Sequence, residues 1–283
     1  MNVLSIQSSV VFGHVGNSAA RLALERLGHE VWAIDTVKLA HHPGYGRWHG
    51  RIAAPAEIAA LLDGLAECGA FQRCAAVLSG YLGDAALGAA LLDAVARVKA
   101  GNAKALFACD PVMGDSAKGL YVRPGIPEFF RDRAVARADL LLPNAFELGW
   151  LAGREIDGIA SALAAARGLF ALGPRLIVVK GLSGGRGGRA LVATLAVEAK
   201  AAWLVECPAV ASQAHGAGDC FTALFLGHYL KRRSASLALE HAVSAIHAVM
   251  TRTARRRKRE LALVEAQDEL LAPKRLFKAA RIG

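Results

Sequence analysis

Two glycines running into an acid, at what reads as a helix start, are the residues of this chain best placed to do chemistry. The stretch is His215-Gly216-Ala217-Gly218-Asp219-Cys220-Phe221-Thr222. Glycine and alanine let the backbone turn tightly, and the apolar spacing Phe221, Leu224, Phe225, Tyr229 predicts a helix over Ala217–Leu230. The free N–H groups and positive dipole end of such a helix suit a phosphate. A carboxylate beside an anion site is unfavourable unless it has a task. Asp219 is placed to take the proton of a hydroxyl that attacks a phosphoryl group. Simple capping of the helix by Asp219 accounts for the same spacing equally well.

Two more acids follow apolar runs. Ala105–Asp110 predicts a buried strand ending in an acid, and the loop Pro111-Val112-Met113-Gly114-Asp115 follows it. Leu140–Leu142 predicts another strand, stopped by Pro143, after which Asn144 opens a helix with Glu147 three residues on. Asn144 and Glu147 fit a capping pair. They also fit a carboxylate that arranges Mg²⁺ and its waters around a triphosphate. Ligands of open α/β sheets bind outside the carboxyl ends of the strands, so three acid-bearing loops at such ends favour one shared site.

The elements that must position these loops alternate along the chain. Strands are predicted at Val3–Ile6, Val31–Ile34, Ala75–Ser79, Ala105–Asp110, Leu140–Leu142, Leu176–Lys180, Leu191–Leu195 and Trp203–Glu206. Helices are predicted at Ser18–Leu27, Glu57–Glu67, Ala85–Lys99, Ala160–Ala171, Ala217–Leu230 and Leu237–Met250. Alternation of this kind implies an α/β fold, a parallel sheet with helices on both faces. Val192–Leu195 and Ala202–Val205 flank a charged turn and predict an antiparallel hairpin at one edge. No sharp change in composition divides the chain, so residues 1–283 are expected to form one domain.

Composition narrows the class. At 54% apolar residues the chain can bury a large core. Its five cysteines show no paired or metal-type spacing, which favours a reduced, cytoplasmic setting over secretion. No basic segment precedes Val3, Gln7-Ser8-Ser9 interrupts the first apolar run, and no apolar stretch is long enough for a bilayer. The net charge is +10, much of it in Arg252, Arg255, Arg256, Arg257, Lys258 and Arg259. That run lacks interleaved aromatics, so a solvated face or a general attraction for anionic ligands is favoured over nucleic-acid binding.

The motifs GAGD, DPVMGD and PNxxE, in the regions of Gly216, Asp110 and Pro143, resemble those of the pyridoxal kinases in the ribokinase-like superfamily. More specific to that branch are Ser5–Ala19, with Ile6-Gln7-Ser8, and Leu78-Ser79-Gly80-Tyr81-Leu82-Gly83. The resemblance extends over essentially the whole chain. It implies a three-layer αβα sandwich with a mostly parallel central sheet and an antiparallel edge hairpin. The implied reaction is ATP-dependent phosphorylation of the 5′-hydroxymethyl group of pyridoxal, and pyridoxine or pyridoxamine are further candidate substrates. Mg²⁺ and a homodimer are implied as well, with a monovalent cation left open.

Carried over residue by residue, the resemblance makes Asp219 the general base and gives Gly216, Ala217 and Gly218 the phosphoryl group. Ser8 would hold the pyridine ring and Tyr81 would stack on or cover it. Pro43 and Gly44 fall at substrate-side positions and offer only backbone or apolar contact; His42 and Tyr45 are neighbouring candidates. Asp110, Glu147 and Lys180 fall on the nucleotide side, with Asp110 and Glu147 nearest the metal. Leu142 falls at a nucleotide-side position too, and Cys207, Pro208, Ala209 and Val210 fall where the family lines the adenine pocket. Two of these depart from the pattern: Leu142 supplies no hydroxyl, and Cys207 replaces a frequent arginine. The segment from Val210 to Gly216 is also shorter than in typical bacterial members.

Two glycine-bearing segments are set aside. Gly181-Leu182-Ser183-Gly184-Gly185-Arg186-Gly187-Gly188-Arg189 lacks the Gly-Lys-Ser/Thr ending of a P-loop and reads as a flexible turn. Gly13-His14-Val15-Gly16-Asn17 is not a dinucleotide fingerprint. A hydroxymethylpyrimidine or sugar kinase of the same fold, and a non-catalytic B6-binding or nucleic-acid-associated protein, remain the alternatives.

Overall fold

Strands that are apolar on both sides must be covered on both faces, and the central sheet of this protein is. A computed structural model describes residues 1–186 and 189–283. The strands are β1 (Asn2–Val10), β2 (Glu30–Leu39), β3 (Gly50–Ile52), β4 (Cys74–Ser79), β5 (Leu106–Cys109), β6 (Gly114–Asp115), β7 (Gly119–Leu120), β8 (Leu140–Leu141), β9 (Leu176–Arg186), β10 (Arg189–Glu198), β11 (Ala201–Pro208) and β12 (Ala280–Arg281). The α-helices are α1 (Asn17–Arg26), α2 (Pro55–Glu67), α3 (Leu87–Gly101), α4 (Ile126–Phe129), α5 (Ala145–Ala152), α6 (Ile159–Leu169), α7 (Ala217–Arg232), α8 (Ala235–Arg255) and α9 (Gln267–Leu271).

Ten strands form one sheet in the order β12-β11-β10-β9-β8-β5-β4-β1-β2-β3. The run from β2 to β9 is parallel. The edges are antiparallel, with β10, β11 and β12 on one side and β3 on the other. Strands β6 and β7 make a separate hairpin.

Side-chain alternation sorts the core into two layers. Leu4, Ile6, Val77 and Phe107 pack in a cluster with Leu62 of α2, Leu91 of α3 and Ala165 of α6. Val3, Leu78 and Ala108 pack in the opposite cluster with Leu24 of α1, Phe225 of α7 and Leu239 of α8. The parallel arrangement sends every central strand out at the same end of the sheet, and the loops that carry the site emerge there.

The expected alternation and edge hairpin are present, with differences that have local causes. Strand β1 does not end at Ile6 but runs on to Val10. Its pairing with β2 slips between Gln7 and Ser9, which face Asp35 and Lys38, so β2 carries an extra residue opposite Ser8. Strand β9 continues past Lys180 to Arg186, because its Leu182–Arg186 stretch pairs with β10. The expected flexible turn is therefore mostly strand, and its Gly187-Gly188 lies outside the described residues.

Helix α5 begins as its sequence directs. Asn144 is its N-cap, accepting a hydrogen bond at Oδ1 from the Glu147 N–H at 2.8 Å. Glu147 Oε2 accepts one in return from the Asn144 N–H, also at 2.8 Å. Asn144→Ala is expected to lower the unfolding free energy by about 1 kcal/mol, the usual worth of such a cap. Urea unfolding of the two proteins with an unchanged slope checks this.

Candidate active site

A cavity of ≈ 980 Å³ opens at the carboxyl end of the parallel strands. In sheet order, its wall takes Lys180 from β9, Asn144 after β8, Asp110 after β5, Tyr81 after β4 and Ser8 from β1. Pro43 and Gly44 reach it from a single 3₁₀ turn, Pro43–Tyr45. Glu147, Cys207, Pro208 and Val210 line it too, as does the turn Gly216-Ala217-Gly218-Asp219. Three expected contacts are not in that wall. Tyr45 packs against Phe12 and under Arg259 instead. Leu142 is fully buried among the residues packed with α1, α7 and α8, its N–H donating to the Cys109 carbonyl at 2.9 Å. Ala209 is exposed, its N–H bonded to the Ala190 carbonyl at 3.0 Å.

Gly216 is the N-cap of helix α7, and its φ of 93° lies in the region that favours glycine. A Cβ there would stand 1.9 Å from the His14 carbonyl oxygen, so the turn and the loop after β1 meet at bare backbone. Asp219 follows in the first turn of α7, and its Oδ2 accepts a hydrogen bond from the Gly16 N–H at 2.8 Å. Gly16 is itself the N-cap of α1 and has no room for a side chain, since a Cβ would come within 2.0 Å of the Ser8 carbonyl oxygen. Gly16 thus stands beside Asp219; its segment Ser5–Ala19 carried the family resemblance, but Gly16 itself was given no role. The available signal was a glycine between a strand and a helix, which places a free N–H at a helix start. Burial pushes the Asp219 carboxyl up to about 6; the Gly16 N–H opposes this, Asp110 adds to it and Lys180 opposes it.

Lys180 balances the acids. Its Nζ donates to Asp110 Oδ1 at 2.7 Å and Oδ2 at 2.6 Å, and to Thr222 Oγ1 at 3.3 Å. Thr222, one turn beyond Asp219 on α7, donates its own hydroxyl to Asp110 Oδ2 at 2.5 Å. A Cβ built on Gly218 would lie 3.9 Å from Lys180 Nζ, so the ammonium sits directly beside the glycine turn. A cation therefore stands beside the first turn of a helix, whose free N–H groups and dipole end suit an anion.

Glu147 is 2% exposed and accepts hydrogen bonds from the N–H groups of Asn144 and Met113. Burial pushes its carboxyl up, Lys180 works against that and Asp110 adds to it. The hard carboxylate oxygens of Asp110 and Glu147 suit Mg²⁺, which takes one or two carboxylates and completes its shell with phosphates and water. Among the described residues no three acid, histidine or cysteine side chains are grouped so as to hold a metal ion by themselves.

The β6–β7 hairpin supplies residues that motif reading left without a role. Asp115, Lys118 and Tyr121 line the cavity. The Tyr121 hydroxyl is pushed far up, first by burial and then by Glu147, Asp219, Asp110 and Asp115. Asp115 stood inside a quoted motif, whereas nothing in the spacing of Tyr121 marked it. The six basic residues from Arg252 to Arg259 are all exposed, as expected of a solvated face. Arg256 and Lys258 share Glu265 at 3.0 and 2.5 Å, and Arg259 Nη2 donates to the Gly44 carbonyl at 2.8 Å.

Comparison with known proteins places this cavity in context. The family model described as phosphomethylpyrimidine kinase matches residues 67–262. A pyridoxal kinase of Rubrobacter xylanophilus is 48% identical over 286 residues, covering 100% of this chain and 98% of the relative. One from Granulibacter bethesdensis is 46% identical, covering 99% of each. Among solved structures, pyridoxal kinase from Leishmania donovani in complex with ADP and pyridoxamine superimposes with a TM-score of 0.92 at 28% identity, covering 100% of this chain and 99% of that one. No helix among the described residues is long and apolar enough to cross a membrane.

Proposed function

Because this chain belongs to the pyridoxal kinase family, we propose that Asp219 is the general base of its phosphoryl transfer and the Gly216–Gly218 turn its anion site. The chain transfers the terminal phosphoryl group of ATP to pyridoxal. The observation that carries the assignment of roles is the Asp219 carboxyl, held at Oδ2 by the Gly16 N–H at the start of α7 in the shared cavity.

In this reading Oδ1 of Asp219 accepts the proton of the 5′-hydroxymethyl group as its oxygen attacks the terminal phosphorus and ADP leaves. The N–H groups after Gly216 and the Lys180 ammonium meet the charge that gathers on the phosphoryl oxygens. Ser8, Pro43, Gly44 and Tyr81 bound the vitamin; Cys207, Pro208 and Val210 bound the nucleotide. Asp110 and Glu147 hold Mg²⁺, which offsets phosphate charge when bound. One kinase unit spanning residues 1–283, a homodimeric state and a cytoplasmic setting complete the reading; they rest on the family resemblance. A hydroxymethylpyrimidine kinase is the second reading, favoured by the description of the matching family model.

The base assignment has a signature in pH. A base works only when ionised, so kcat is expected to rise with pH through about 6 and then level, following the raised carboxyl of Asp219. A rate that instead rises through 3.8, the ordinary aspartate value, and is flat from pH 5 upward would remove Asp219 from this role.

A further inference from the structure

One contact near the glycine turn has no part in the chemistry just described. The imidazole of His42 lies flat on that of His215, with ring centres 3.7 Å apart and planes inclined by 21°. The two residues come from opposite ends of the chain, and both line the cavity. His42 caps the Pro43–Tyr45 turn, its Nδ1 accepting the Gly44 N–H at 3.0 Å. His215 immediately precedes Gly216, the N-cap of α7. Gly44 sits against the pair so closely that a Cβ on it would lie 2.6 Å from His215 Nε2.

We infer that His42 and His215 form an aromatic clasp that fastens the substrate-side turn to the glycine turn and so sets the affinity for the vitamin. They are positioning residues. The inference rests on the pyridoxal kinase reading of the same cavity. Stacked rings hold two segments in register without a charged contact. From outside, Arg259 braces the same turn: its guanidinium lies 4.2 Å from the Tyr45 ring centre and donates to the Gly44 carbonyl. The turn is thus gripped on both sides, and it is the element that carries Pro43 and Gly44. The surroundings keep the two rings neutral and able to stack. Burial, His215, Lys118, Arg259 and His41 lower His42 to about 4. Burial, Lys118 and Arg259 lower His215, against Glu260 and Asp115.

The test uses four variants of the full chain whose melting curves match the wild type. His42→Asn keeps an acceptor for the Gly44 N–H and loses the stack. His215→Ala loses the stack from the other side, and His215→Phe restores a ring. The double variant His42→Asn/His215→Ala closes a cycle. The expected result is a rise of about three- to tenfold in the KM for pyridoxal in each of the first two variants, the worth of one aromatic pair. In both, kcat stays within about twofold and the KM for ATP is unchanged, since neither ring serves the transferred group. His215→Phe returns to the wild-type KM, and the double variant shows no more than the single effect. An unshifted KM for pyridoxal in the single variants overturns the clasp. So do effects that multiply in the double variant, or a His215→Phe no better than His215→Ala. Titration with pyridoxal in the absence of ATP gives the same comparison as a Kd. A wild type that binds pyridoxal without phosphorylating it would refute the kinase reading and leave the clasp to stand or fall on those Kd values.

Discussion

Replacing Asp219 by alanine is expected to lower kcat for pyridoxal by about 10²–10⁴, the contribution of a positioned general base. Pyridoxal should still bind, because the other proposed vitamin contacts come from β1, the Pro43–Tyr45 turn and the loop after β4. Asp219→Asn sharpens the test. An asparagine can still accept the Gly16 N–H that Asp219 holds at 2.8 Å, so geometry at the start of α7 is kept while the proton acceptor is lost. Both variants should therefore fall together in kcat, and the wild-type rise in rate through about pH 6 should vanish from whatever activity remains. An asparagine variant with near wild-type kcat would show that the carboxyl only anchors α7 against Gly16, the helix-capping alternative in another form.

Lys180→Met carries the second large effect, on stability as well as activity. The Lys180 and Asp110 side chains are only 13% and 3% exposed and touch through both carboxylate oxygens. Removing one partner of a buried ion pair leaves the other uncompensated, at a cost of about 3–5 kcal/mol. Thr222 would remain as a hydrogen-bond donor to Asp110, but it brings no charge. The midpoint of urea unfolding should fall accordingly. Adding Asp110→Asn to Lys180→Met should recover much of that loss, because no charge is then left unpaired. Activity should not recover with it: without the ammonium beside Gly218 the KM for ATP is expected to rise about ten- to a hundredfold, as for a lost hydrogen bond to a charged group. A lysine variant as stable as the wild type would contradict this account of the Lys180–Asp110 pair.

The parts of this protein most legible in its sequence are those where one residue type has few physical alternatives. Gly216 and Asp219 predicted a helix start because a glycine before a helix and a first-turn acid have narrow uses, and they stand at the N-cap and in the first turn of α7. The apolar runs that became β1, β4, β5 and β9 were readable because burial on both faces leaves no polar alternation. The Asn144–Glu147 pair was readable as a cap, and the same carboxylate turned out to face the cavity.

What stayed hidden depended on contacts between segments far apart in the chain. Gly16 meets Asp219 across 203 positions, and no local pattern encodes such a meeting. The His42–His215 stack is of the same kind. Family position suggested a nucleotide role for Leu142, but just past β8 its apolar side chain packs into the cluster with α1, α7 and α8. The continuation of β9 to Arg186 was missed because glycine weakens a strand by propensity, and pairing with β10 overrode it.

The most direct test of the account is the rate of pyridoxal phosphate formation by the wild-type chain with Mg²⁺ and ATP, followed by absorbance and run beside hydroxymethylpyrimidine. The account predicts ATP-dependent product from pyridoxal, with kcat/KM at least about tenfold above that for the pyrimidine, a margin that a few pocket contacts can supply. A higher kcat/KM for hydroxymethylpyrimidine, or no product from pyridoxal at all, would contradict it.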